Sequence, residues 1–187
     1  MPNHVINEII FRNIDHMQRV GIRTMVRNSA GEIDFGILVP KPLNLWDGGV
    51  GSEHEKKFRN TGLDWARENW GTKWNAYGID QGGRYQSFVE SDDTIILTFQ
   101  TAWAPPYPWI AALFNFFKIS IEHNWFDEGC SLGKSGKFDY QQYLKGIGGW
   151  DETDADDEMH RHLHKLLWGV EEFEDEDVES PQETERG

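Results

Sequence analysis

The sequence predicts an α+β fold: a ferredoxin-like antiparallel sheet with two helices on one face, extra strands, and a C-terminal acidic helix and tail. Three observations carry this. Short β-branched and aromatic stretches alternate as half-buried strands do. The elements run strand, helix, strands, helix, strand, the order in which two helices cover one face of an antiparallel sheet. Charge is segregated, with 15 Asp or Glu against three Lys or Arg in residues 151–187 and a nearly balanced 17 against 15 before them.

"HVINEIIF" at residues 4–11 reads as the first strand, and "DHMQRVGIRTMVRN" as a helix capped by Asp15, with Met17, Val20 and Thr24 near one face. "EIDFGILVPKP" reads as a second strand stopped at Pro40, since proline cannot donate to a central ladder. A loop over residues 43–60 leads to a short helix at 61–70, where Leu63, Ala66 and Trp70 recur at helical spacing and Gly71 ends it. "TKWNAYGI", "RYQSFVE" and "DTIILTFQTAW" then read as a meander, with "DQGG" and "SDD" as turns.

In "APPYPWIAALFNFFK" prolines occupy the first turn, and Ile110, Leu113, Phe114 and Phe117 form one apolar stripe. "ISIEHNWF" alternates as a last strand. These elements place a ferredoxin-like domain at residues 1–129, followed by a Gly- and Lys-rich arm or hairpin at 130–150. An amphipathic helix with an acidic start is expected at 151–170, with Met159, Leu163, Leu166 and Leu167 on its apolar side. Residues 171–187 are expected to be a disordered acidic tail.

No apolar run approaches the roughly 20 residues that span a bilayer, and the N-terminus lacks a basic segment followed by an apolar core. Cys130 stands alone and cannot close an internal disulfide. A cytoplasmic location, without a membrane partner, is the expectation.

"PNHVINEI", "VPKP", "WGTKWNAY", "TAWAPP" and "EHNWFDEG" occur in that order between about residues 2 and 129. As a set they resemble the phage- and plasmid-borne YubB-like proteins with a ferredoxin-like domain. The resemblance implies the fold and carries no activity with it. Occurrence on mobile elements implies an accessory role, such as interference with a host system, and the acidic segment after residue 150 departs from the family's pattern.

Two surfaces are candidates for binding. If residues 72–77 form a strand, Trp74 packs inward and Lys73, Asn75 and Tyr77 share the other face, which Thr98, Gln100, Glu122 and Asn124 extend on neighbouring strands. Such a face could bind single-stranded nucleic acid, although the aromatic run of RNA-recognition domains is missing. The second candidate is the acidic segment, suited to a host or phage protein with a basic surface. Its contacts would be Asp154, Asp156, Asp157, Glu158, Glu171, Glu172, Glu174, Asp175, Glu176 and Asp177, with Trp168 and Phe173 as apolar anchors. A solubilising tail is the plainer account of the same composition.

His160 and His164 share a helical face but lack the third and fourth ligands that zinc needs, so no metal is expected. His123, Asp127 and Glu128 have the chemistry for acid–base work and equally suit a strand edge. No nucleophile elbow, P-loop, dinucleotide fingerprint or kinase set occurs, and "GKSGK" lacks the spacing that cradles phosphate. The chain therefore reads as a binding protein without a cofactor, with the acidic segment as first candidate and the sheet face as alternative.

Overall fold

The computed structural model describes residues 3–46, 61–78, 87–130, 132–146 and 148–169. Its centre is β1 (His4–Arg12), whose inward residues are almost all buried. A capping box follows: the Asp15 carboxylate accepts from Gln18 N–H while the Gln18 side chain accepts from Asp15 N–H, which starts α1 (His16–Val26).

The expected second strand does not form. Asp34 instead accepts from Gly36 N–H and opens a one-turn helix, α2 (Phe35–Leu38), which sinks Phe35 into the core. The local preference of Asp for a cap outweighs the β propensity of the flanking residues. The third helix is where the spacing puts it, at α3 (Gly62–Asn69), and Gly71 leaves it at φ +86°.

Beyond Gly71 the chain departs from the expected strand. Residues 71–75 form bends, held by Thr72 Oγ1 donating to Trp74 O, and only Tyr77 bridges to Gln100. The regular meander is β2 (Ser87–Glu90) and β3 (Thr94–Ala102). The last four residues of the expected "RYQSFVE" strand form β2, and residues 84–86 lie outside the described residues. Then come α4 (Tyr107–Phe117), which ends on Lys118 in the left-handed region, and β4 (Ile121–Asp127).

The arm after residue 130 joins the sheet. It supplies β5 (Lys134–Phe138), α5 (Tyr140–Leu144) and β6 (Trp150–Asp154), before α6 (Asp157–Trp168) begins on its N-cap Asp156. Residues 151–154, placed by the sequence reading in the last helix, are thus strand. The sheet runs β2-β3-β1-β4-β5-β6, antiparallel throughout, and its first four strands with α1 and α4 make the ferredoxin-like unit.

Both faces of the sheet are used. On one, Ile9 and Phe11 of β1 meet Leu97 and Phe99 of β3 and the stripes of α1 and α4, including Ile22, Val26, Trp109 and Leu113. On the other, Ile6 and Phe126 pack against Leu163 and Leu167 of α6. The C-terminal helix is therefore part of the fold, and about 2 kcal/mol rests on each of its buried leucines. Among the described residues no helix is long and apolar enough to cross a membrane.

Candidate functional site

Alternation along β1 and β4 sends Asn7 and His123 to the face covered by α1 and α4, where the fold buries both completely. Thr101 Oγ1 donates to Ala104 O, so it accepts from Asn7 Nδ2, and Asn7 Oδ1 is left to accept from His123 Nε2–H at 3.0 Å. This direction of donation leaves His123 Nδ1 unprotonated, and it has no hydrogen-bond partner among the described residues. Burial pushes the His123 pKa down to about 3, so the ring is neutral at physiological pH.

Beside this histidine the added strands build an aromatic wall. Gly136 of β5 lies opposite His123, and its missing side chain makes room for the Trp150 ring; a Cβ there would come within 2.4 Å of that indole. Trp150 packs against Phe138 with its ring tilted, 4.2 Å between centroids, and meets Tyr107 edge-on at 5.6 Å. Glu152 Oε2 accepts from Tyr107 Oη at 2.5 Å and Trp125 Nε1 at 3.0 Å. Burial, and then Glu152, raise the Tyr107 pKa above the ordinary phenol range. Tyr107, Pro108, Ala111, Phe138 and Trp150 line an apolar pocket of about 480 Å³.

A second surface forms where the chain leaves α3 and β3. Trp70 is buried and donates from Nε1 to Val39 O, as its helical spacing predicts. Trp74, expected to pack inward, is 40% exposed because its segment is a bend. Trp103 is 46% exposed and sits at φ +73°, in the left-handed region that is costly for a side chain of its size. The Lys73 ammonium lies 4.8 Å from the Trp74 ring centroid and 4.4 Å from that of Trp103, and the Arg67 guanidinium lies 5.3 Å from Trp103.

The structure does not assemble the predicted sheet-face set. Asn75 turns toward α2, where Oδ1 accepts from Phe35 N–H at 2.8 Å and Nδ2 donates to Asp34 at 2.7 Å. Tyr77 is half-buried, donating to Thr101 O and accepting from His4 Nδ1. Burial, and then Glu128, raise its pKa above the ordinary range. Thr98, Gln100 and Asn124 do share the second sheet face, but all three are buried. Glu122 is on that face too, paired with Arg12 at 3.0 Å.

The acidic candidates divide. Asp154, Asp156, Asp157 and Glu158 are exposed, with Asp154 paired to Lys134 and Asp156 accepting from Met159 N–H. Trp168 ends α6 and is 48% exposed. Beyond the first turn the helix is mixed in charge, since Arg161 and Lys165 are exposed as well. Glu171, Glu172, Phe173, Glu174, Asp175, Glu176 and Asp177 lie outside the described residues.

His160 is buried and accepts from Gly133 N–H at 3.2 Å, while its ring meets Phe126 edge-on and lies 6.3 Å from His164. No group of three metal-binding side chains occurs among the described residues. Of the acid–base candidates, Asp127 holds a turn by accepting from Gly129 N–H, so it and His123 serve separate local structures.

Sequence reasoning missed the Trp150–Tyr107–Glu152 grouping. Its one sequence signal was the alternation of "WDETD", overlooked because an acidic run just before a helix also suits a helix start. No curated protein and no solved structure matches the chain significantly. A family model described as the ferredoxin-like domain in Api92-like protein matches residues 70–179, a span that holds all the strands after β1 and the residues of both surfaces except Asn7 and Arg67. β1 and α1 of the four-strand unit lie before the matched span, which covers more than half of the sequence, and the chain belongs to the family of the ferredoxin-like domain in Api92-like proteins.

Proposed function

We propose that this is an accessory binding protein of a phage or plasmid that engages a basic surface of a host protein through its acidic C-terminal part. The supporting observation is where the acids sit. Asp151 and Asp154 on β6, Asp156, and Asp157 and Glu158 at the start of α6 are exposed along one border of the fold. The chain continues from there into a segment with nine further acids and one arginine after Gly169. Such a field attracts a cationic partner from a distance and weakens as salt rises. A location in the host cytoplasm goes with this reading.

The test uses the full chain against two variants. One ends at Gly169; the other carries Asp151→Asn, Asp154→Asn, Asp157→Asn and Glu158→Gln. Affinity capture from bacterial lysate, with the bound proteins identified, is expected to recover a basic protein with the full chain and much less of it with either variant. Equal recovery by all three in high salt would sink the reading.

The exposed indoles favour a second reading, single-stranded nucleic acid held at Lys73, Trp74 and Trp103 rather than on the covered sheet face. Base stacking on aromatic rings contributes about 1–3 kcal/mol per base, and an adjacent ammonium suits the phosphates. An oligonucleotide mobility shift that Trp74→Ala abolishes would support it; binding indifferent to Trp74 would count against it.

A further inference from the structure

Among the described residues no strand pairs with the outer edge of β6, the last strand of the sheet. Asp139 N–H donates to Gly149 O at 2.7 Å and Ala155 N–H donates to Gly133 O at 2.9 Å, so at both ends of β6 the odd-numbered residues face β5. Backbone direction alternates along an antiparallel strand, which turns the N–H and C=O groups of Trp150, Glu152 and Asp154 away from β5. Strand edges of this kind accept an extended peptide as an additional strand.

Two further features say what kind of peptide fits. The side chains on the helix side of this edge are Trp150, Glu152 and Asp154, and on the opposite side Asp151 and Thr153, so every charge on β6 itself is negative, with Asp154 already paired to Lys134 of β5. Next to the Trp150 end is the apolar pocket of Tyr107, Phe138 and Trp150, with Glu152 bonded to the Tyr107 hydroxyl beside it. Aromatic walls near a carboxylate suit a flat, weakly hydrated cation better than a neutral apolar group.

We propose that an extended, arginine-bearing segment of a partner protein adds as a strand to β6 and seats one arginine side chain against Trp150 in this pocket. The inference rests on the reading of a basic partner and specifies its contact. Main-chain bonds to Trp150, Glu152 and Asp154 supply affinity without sequence preference. The pocket and the alternating acids select arginine at every second position.

The experiment titrates full-length protein into a fluorescein-labelled peptide of alternating arginine and valine and follows anisotropy. Parallel titrations use the same peptide N-methylated on alternate backbone amides, and a glutamate-for-arginine peptide. The expected result is saturable binding of the first, weakened about tenfold or more by N-methylation, and none of the acidic peptide. Trp150→Ala is expected to weaken binding about tenfold. Because that variant removes packing, Ala111→Phe, which fills the pocket from α4 and leaves Trp150 in place, is expected to do the same. Equal affinity for methylated and unmethylated peptides, unchanged in both variants, would overturn strand addition and leave the electrostatic reading standing. No binding of any arginine peptide at low salt would overturn both.

Discussion

His162 on the C-terminal helix donates from Nε2 to the Glu8 carboxylate at 2.8 Å, tying residues 154 positions apart across the second face of the sheet. Glu8 is nearly buried on the central strand, and its other oxygen accepts from Asn124 at 3.2 Å. Removing a partner from a buried carboxylate leaves its desolvation uncompensated. His162→Ala is expected to cost about 1–3 kcal/mol by urea denaturation and to speed proteolysis at α6. Unchanged stability would mean that the pair contributes nothing to docking.

The same docking dictates where the chain can be cut. Ending it after Trp150 removes most of β6 and all of α6 and uncovers Ile6 and Phe126. Ending it after Gly169 keeps every described contact of the helix. The chain ending at Gly169 is expected to match the full chain within about 0.5 kcal/mol, and the one ending at Trp150 to unfold at far lower urea or to aggregate. Circular dichroism with urea titration separates them.

Gly136→Ala tests the aromatic wall. The added methyl meets the Trp150 ring, and the ring is confined by Phe138 and Tyr107, so neither can yield without repacking. A loss of about 1–3 kcal/mol is expected, with a red shift of tryptophan emission as Trp150 moves toward water. An unshifted spectrum and full stability would contradict the tight approach.

His123 makes stability depend on pH. Its native pKa lies near 3, below the value near 6.5 of an unfolded histidine, so between these limits the unfolded chain binds the extra proton. Stability from this group is fully present above about pH 6.5 and declines as pH falls toward 3, by up to about 1.4 kcal/mol per unit. His123→Gln is expected to lower stability at pH 7 and to flatten the decline between pH 6.5 and 4.5. Urea midpoints at several pH values measure both, and parallel declines in the two proteins would exclude His123 as the cause.

Trp103 tests strain at the exposed indole pair. Its φ of +73° suits glycine, so Trp103→Gly is expected to retain stability within about 1 kcal/mol, whereas Trp103→Ala keeps the strain and loses the ring. If the indoles hold single-stranded nucleic acid, both variants weaken binding about tenfold. Retained binding with Trp103→Gly would place the contact elsewhere.

Much of the fold was legible from local pattern. The stripe of Ile110, Leu113 and Phe114, the alternation in β1, β3 and β4, and the cap at Asp15 each announce an element through backbone geometry that neighbouring residues determine. Besides residues 151–154, whose acids also suit a helix start, the misread stretches were those where a polar side chain took over the backbone. Asp34 capped a turn in place of a strand, and Asn75 bonded to Phe35 and Asp34 from forty residues away. Such long-range bonds leave no periodic trace.

The sequence by itself determined the α+β class, the elements of the ferredoxin-like unit and the charge division between body and C-terminus, because periodicity, capping and composition act over a few residues. Only the tertiary structure decided that α6 covers the second sheet face, that Lys73 lies between two exposed indoles, and that Trp150, Tyr107 and Glu152 meet beside an open strand edge. Each of these depends on which strands become neighbours, and that is settled by the burial of the whole core rather than by any one segment.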